Sequence, residues 1–394
     1  MQNSISQLAQ LWPPFSKPVV LSEAIESAAK PRAAARSQER DAAAGIVLQH
    51  GHSSLDYFKL WPDKSYYFSA SRKSFLAYRV SGNCVVVLAD PVGPPEEIEP
   101  TIRGFMKICA QENRSLAFHQ TTSDFLPVYR SLGFHQLKLG DEAIVDLVQF
   151  NLDGKSMKKF RHTINQLEKS GVHLVRYDSP LSAEVLAQAK EVSDQWLQLP
   201  GRRERGFTLG LLDVDYLRST PLLAAVDAGG CMLAFVNLIP SFCPGEATVD
   251  LMRYRTDAPN AIMDYLIVKL LLDCKARGFS RFTLGMAPMA GFQEHETASA
   301  GERVLHYFCQ RTNFLFSFAG LQRHKAKYAD RWEPRYLMYR HAFQLPRLAR
   351  ALSRITELNN LESNYDLRSF PDESLAGRPI PGDGLVAERA RAVA

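Results

Sequence analysis

No stretch of the 394-residue chain approaches the about 20 uninterrupted apolar residues that span a bilayer, so a membrane-crossing segment is not expected, although contact with a membrane surface is. The beginning, "MQNSISQLAQLWPPF", lacks a basic stretch followed by an apolar block, so it does not read as a secretory signal and a cytoplasmic location is expected. The six cysteines lie far apart with no C-x-x-C pair, which argues against zinc ribbons and a disulfide scaffold and suits reduced core residues. H-E-x-x-H, G-x-x-x-x-G-K-[ST] and G-x-S-x-G are also missing, so neither a zinc hydrolase, a P-loop enzyme nor a serine hydrolase is indicated.

What is present describes a globular protein: 46% hydrophobic, 10% aromatic and 23% charged residues. Its length suggests two domains of roughly 150 residues plus tails. The net charge of +5 decides little, but Lys and Arg concentrate in "GKSMKKFRHTINQLEK", "GRRERG" and "RHKAKYADRWEPRYLMYR". Such stretches suit phosphate-bearing partners, nucleic acid or anionic lipid, with solvated helix faces as the plain alternative.

Residues 1–45 read as a mobile or helical leader and residues 346–394 as a C-terminal helix and disordered tail. Between them the period-2 and period-3.6 patterns alternate in an order that occurs twice. "SYYFSA", "SFLAYRV" and "CVVVLADPVG" form a β-meander, followed by a helix in "EEIEPTIRGFMKICAQEN", the strand "SLAFHQT", the helix "DFLPVYRSLGF" and the strand "EAIVDLVQF". The second copy has a helix near 183–199, strands in "LLAAVDAGGCMLAFVNLIP" and "ATVDLMRYR", a long helix at 259–277, the strand "RFTLGMA", a helix near 301–311 and a last strand at "RYLMYR". Two copies of one α/β plan predict tandem units, 46–168 and 169–345, each with its own mixed sheet and with a cleft in the second.

"YRSLGF" before a strand resembles the penultimate helix of a GCN5-related N-acetyltransferase (GNAT) fold. The ordered set "EAIVDL", "GKSMKKFRHTINQLEKSG", "ERGFTLG", "VDLMRYRTDAPNAIMDYLIV", "GFSRFTLGMAPMAG" and "GLQRHKAKYADRWEPRYL" resembles the C-terminal catalytic domain of the lysyl- and alanyl-phosphatidylglycerol synthases, the multiple peptide resistance factor family. That resemblance covers about residues 50–345. It implies tandem GNAT-like units of α/β class and transfer of an aminoacyl group from aminoacyl-tRNA to the glycerol hydroxyl of phosphatidylglycerol at the inner face of the membrane, an exchange that alters lipid charge and resistance to cationic antimicrobial peptides. Family members usually carry transmembrane helices upstream, so this chain reads as a natural soluble member or a part of a longer protein. No cofactor is implied. A Fem-type peptidoglycan aminoacyltransferase would carry a coiled-coil insertion, and no heptad run is present. A non-catalytic tandem unit that binds tRNA or anionic lipid is the remaining alternative.

Ester exchange needs an acceptor for a hydroxyl proton, donors for an oxyanion, and a grip on two polyanions. Asp250 and Arg253 interrupt the apolar strand "VDLMRYR". Side chains three apart on a strand face opposite sides unless a bulge intervenes. The resemblance places both at the active centre, Asp250 as acceptor or base and Arg253 as anchor for a phosphate or carbonyl. Lys325 is the third family-matched candidate, with Lys327 as rival on the same strand or loop, either to hold tRNA phosphate or to stabilise the oxyanion. The helix start after Pro259 offers free N–H groups for an anion, with Asn260, Met263 and Asp264 as substrate contacts. The corresponding GNAT helix start holds coenzyme A pyrophosphate, but the glycine-rich loop for that cofactor is missing. Glu142 and Glu204 match family positions suited to the amino group of the transferred residue. Lys155, Lys158 and Arg161 read as phosphate contacts for tRNA or the lipid surface, and His119 and His162 as structural.

Overall fold

The structure, a computed structural model, describes residues 37–288 and 315–357. The leader up to residue 36, the helix expected near 301–311 and the tail from 358 lie outside the described residues. The described residues from Ile46 onward belong to one compact unit.

Its frame is a single sheet of eleven strands: β1 (Ser65–Phe68), β2 (Phe75–Ser81), β3 (Cys84–Leu88), β4 (Ser115–Thr121), β5 (His135–Asp146), β6 (His173–Tyr177), β7 (Leu222–Val226), β8 (Met232–Ile239), β9 (Glu246–Tyr254), β10 (Arg281–Pro288) and β11 (Arg331–Tyr339). The spatial order is β1-β2-β3-β4-β11-β5-β10-β9-β8-β7-β6. After a helical stretch over residues 37–50, the helices among the described residues are, in chain order, α1 (Leu55–Lys59), α2 (Pro95–Gln111), α3 (Leu126–Ser131), α4 (Lys158–Lys169), α5 (Ala183–Leu197), α6 (Val214–Arg218), α7 (Ile262–Ala276), α8 (Leu315–Lys325) and α9 (Leu345–Thr356).

The repeated GNAT-like order is real. β1–β3 and β7–β9 are antiparallel meanders; α2 crosses from β3 to a parallel β4, and α7 from β9 to a parallel β10. The expectation of two separate sheets is corrected, because each half donates its last strand to the other. β11 pairs with β4, β5 pairs with β10, and β11 and β5 pair with each other, all antiparallel. Local patterning sets which segments are strands, but not which strands meet.

Alternate residues explain how the second half is covered on both faces. Leu223, Ala225, Ala234 and Val236 pack with α4 and α7, while Leu222, Ala224, Val226 and Phe235 pack with α5 and α6. Every residue of β7 is therefore buried, which is why "LLAAV" is apolar throughout rather than alternating. At the centre of the sheet Glu142 of β5 lies opposite Met286 of β10 and Glu333 of β11. Its carboxylate accepts from Thr283 Oγ1 at 2.7 Å and from Arg335 Nη2.

Two outcomes follow from exchanged strands around a buried ion pair. A chain ending at residue 168 leaves β4 without β11, so circular dichroism and amide dispersion should show it unfolded; a folded half would overturn the exchange. Arg335→Met leaves Glu142 uncompensated and should cost about 3–5 kcal/mol in denaturant unfolding.

Candidate functional site

β9 carries one residue more than its partner can match. The ladder runs Phe235↔Arg253 and Val236↔Met252, then resumes at Leu238↔Val249, so Asp250 and Leu251 together oppose Asn237. This bulge brings Asp250 to the α5/α6 side together with Leu251 and Arg253. It also strips the Leu251 N–H of a ladder partner. The side chain of Asn237, fully buried, replaces it: Oδ1 accepts from Leu251 N at 2.8 Å, while Nδ2 donates to the Tyr216 hydroxyl at 2.8 Å and to Thr220 Oγ1 at 3.2 Å.

Tyr216 in turn donates to Asp250 Oδ2 at 2.6 Å, and the Gly210 N–H donates to Oδ1 at 3.0 Å. Trp61 stands edge-on to the Tyr216 ring at 4.9 Å and Tyr57 packs against it at 6.3 Å. Burial among these rings pushes the half-buried Asp250 carboxyl up to about 6, against the pull of Tyr216, Gly210 and the Arg253 charge. Burial and then the Asp250 charge also push the Tyr57 phenol up. Gly210 has to be glycine for space: a β-carbon there would collide with Asp250 Oδ2 and press on Trp61 and Tyr216.

Arg253 sits beside this carboxylate but is not free to hold an anion. Its guanidinium binds Glu204 in bidentate fashion at 2.6 and 2.7 Å, donates to Ser193 Oγ and lies 4.9 Å over the Trp196 ring. The side chains are 3% and 20% exposed respectively, so the pair presents Glu204, not Arg253, outward. The expected phosphate anchor is thus a buried, neutralised cation that fixes Glu204.

The β9–β10 ladder ends at Thr248↔Thr283, and the two strands carry their site residues just beyond it. On β10 the register with β5 shifts between Thr283 and Met286, and Gly285 takes a φ of +75° that L side chains rarely adopt. Lys325 Nζ donates to the Gly285 and Met286 carbonyls, both at 3.0 Å. It forms no ion pair among the described residues, and burial pushes its ammonium down to about 7. Lys325, expected on a strand or loop, is the last residue of α8.

The rival Lys327 pairs instead with Asp264, at 2.8 Å to each oxygen, and Tyr328 donates to the same carboxylate at 2.5 Å. These two candidates satisfy each other and tie α7 to the segment after α8. Asn260 is exposed at the start of α7, where Ala261 has a φ of +64° and no side chain caps the helix, while Met263 packs on the core. Glu142, matched to a substrate amine, has one carboxylate oxygen accepting from Thr283 and the other from Arg335. Lys155 and Lys158 are exposed, whereas Arg161 folds back to donate to the Leu152 and Gly154 carbonyls.

Tyr57, Gly210, Tyr216 and Asn237 are site residues that the sequence did not single out. Only Asn237 left a signal, as a lone amide in the apolar run "LAFVNLI".

The Lys325 environment has a measurable consequence. Its folded value lies below the roughly 10.4 of an unfolded lysine, so between about pH 7 and 10 the unfolded chain binds more protons and stability rises with pH. The stability of the wild type relative to Lys325→Met should increase across that window. A pH-independent difference would show a lysine that stays charged in the fold.

Residues 44–339 match the family described as phosphatidylglycerol lysyltransferase, C-terminal. The chain is 34% identical over 297 residues to a phosphatidylglycerol lysyltransferase of Bacillus subtilis, covering 75% of this chain and 34% of that protein. It is 31% identical over 300 residues to the enzyme of the same name from Staphylococcus epidermidis, covering 76% and 36%. The chain therefore spans about a third of the length of these curated relatives. The solved structure of L-PGS from Bacillus licheniformis superimposes with a TM-score of 0.72 at 30% identity, over 80% of this chain and 95% of that one.

Proposed function

Because the chain belongs to the phosphatidylglycerol lysyltransferase C-terminal family, we propose that it transfers a lysyl group from lysyl-tRNA to the glycerol hydroxyl of phosphatidylglycerol. The observation that carries this reading is the Asp250 carboxylate, half-buried among aromatic rings and held up to about 6. It is ionised at neutral pH yet basic enough to accept a proton in a transition state.

In this scheme the lipid hydroxyl gives its proton to Asp250 as its oxygen attacks the ester carbonyl. The tetrahedral intermediate then collapses, the bond to the tRNA ribose oxygen breaks, and the proton passes from Asp250 to that leaving oxygen. Atoms balance with no cofactor. Glu204 keeps lone pairs beyond those that Arg253 occupies, and its outward side suits an ammonium of the transferred residue. Lys325 Nζ keeps one N–H beyond the two that the Gly285 and Met286 carbonyls accept, which suits a phosphate of the donor's 3′ end. Exposed Lys155 and Lys158 extend that grip along the tRNA. The product reverses the sign of the lipid headgroup, which would weaken binding of cationic peptides.

The reading is tested by incubating the protein with tRNAs separately charged with radiolabelled lysine or alanine and with phosphatidylglycerol, then separating the lipids. Label in the lipid from lysyl-tRNA supports it, label only from alanyl-tRNA changes the donor, and label from neither removes the function. Asp250→Asn should lower kcat by at least about 10²-fold with the melt unchanged. The kcat/KM of the wild type should fall as pH drops through about 6, because protonated Asp250 cannot accept the hydroxyl proton. Lys325→Ala should raise KM for the charged tRNA more than it lowers kcat.

A further inference from the structure

The segment joining α5 to α6 does more than supply the Gly210 N–H. Its first part, "GRRERG", is basic, and its second, "FTLGLLDV", is mostly apolar. Gly210 is fastened to Asp250, so the second part stands at the reacting carboxylate. Yet Leu209 and Val214, on either side of that attachment, are 46% and 45% exposed. Single exposed apolar residues are ordinary, but a leucine and a valine on one short lip beside the reacting group form a surface.

The basic part joins a second element. Gly206 N donates to the Thr356 carbonyl at 3.0 Å, and Arg205 and Glu357 form an isolated β-bridge, so the lip is stitched to the end of α9. α9 buries Leu345, Leu348, Ala351 and Ile355 and exposes Arg347, Arg350 and Arg354, whose spacing puts them on one side of the helix. None of these three forms an ion pair among the described residues. Phe343, just before α9, is 77% exposed.

We propose that the 202–214 lip and the arginine face of α9 dock on an anionic bilayer, Leu209 and Val214 entering the acyl region and the arginines meeting headgroup phosphates, so that a lipid hydroxyl reaches Asp250 without leaving the membrane. This rests on the reading that phosphatidylglycerol is the acceptor. The arginines alone would suit tRNA equally well. The exposed Leu209, Val214 and Phe343 decide for the bilayer, because apolar side chains gain nothing from a phosphate backbone and gain much from an acyl interface.

The test uses the full chain, sedimented with vesicles of equal parts phosphatidylglycerol and phosphatidylcholine or of phosphatidylcholine alone. Two variants are compared, the pair Leu209→Ser and Val214→Ser and the triple Arg347→Gln, Arg350→Gln and Arg354→Gln, with melts recorded; Leu209→Thr with Val214→Thr replaces the first if it unfolds. Vesicle binding should fall about 10-fold or more for the pair and up to roughly 10²-fold for the triple. Transfer to vesicle phosphatidylglycerol should fall with it, while transfer to monomeric short-chain phosphatidylglycerol stays within about twofold of wild type. Wild-type vesicle binding by both variants overturns the proposal, as does loss of charged-tRNA binding by the triple with vesicle binding intact. Equal loss of transfer on vesicles and on the short-chain lipid also overturns it. If the variants weaken vesicle binding but the wild type transfers to neither lipid, the docking surface stands and the acceptor reading falls.

Discussion

The site depends on one orphaned backbone N–H. By carrying one extra residue, β9 rotates Asp250 to the side that Leu251 and Arg253 already occupy, and the Leu251 amide loses its ladder bond. An unsatisfied buried N–H costs about 1–3 kcal/mol, so the bulge is stable only because Asn237 accepts from it. The same amide group then orients the Tyr216 hydroxyl, and the hydroxyl orients Asp250. Strand irregularity, phenol and carboxylate are thus one hydrogen-bonded chain in which every donor has its acceptor. Such networks hold a single geometry because their buried members, here Asn237 and Tyr216, have no water to turn to.

The exchange of last strands plays the matching part on the other side of the site. β5 and β11 lie between the two halves, and Glu142, locked by Arg335 and Thr283, fixes their register. Met286, opposite Glu142, supplies one of the carbonyls that hold Lys325. The buried pair is therefore better understood as setting register than as adding stability, since a pair of this kind roughly offsets its own desolvation. A slip of one residue would turn every side chain of β5 to the wrong face.

Strands, long helices and the repeat were legible because each is written in a local period: "CVVVL" and "LLAAV" are short runs of buried strands, and "IMDYLIVKLLLDCKA" is a helix covered nearly all round. The need for a bulge was also legible, since Asp250 and Arg253 are three apart on a strand. Their partners were not. Glu204 lies 49 positions from Arg253, Lys327 63 from Asp264 and Arg335 193 from Glu142, and no local pattern records such pairings. The same blindness affected the charges themselves. Arg253 and Asp264 stand out in sequence as charges inside apolar runs, and Glu142 borders one, a pattern that marks a buried ion pair as readily as a substrate contact.

Asp250 and Lys325 differ from those pairs in how they are perturbed. Joining them in an ion pair would lower the carboxyl and raise the ammonium, but the carboxyl is raised and the ammonium lowered, each chiefly by burial. Burial thus outweighs the Arg253 charge at Asp250 and acts without any opposing charge at Lys325, and the two groups do not supply one to each other. A substrate that reaches both resolves the shortfall: a donor phosphate beside Lys325 draws the ammonium back toward its ordinary value, with a proton taken up near neutral pH. Under the proposed transfer, keeping the two groups uncoupled leaves Lys325 a cation for the donor phosphate and leaves Asp250 the raised carboxyl of a base.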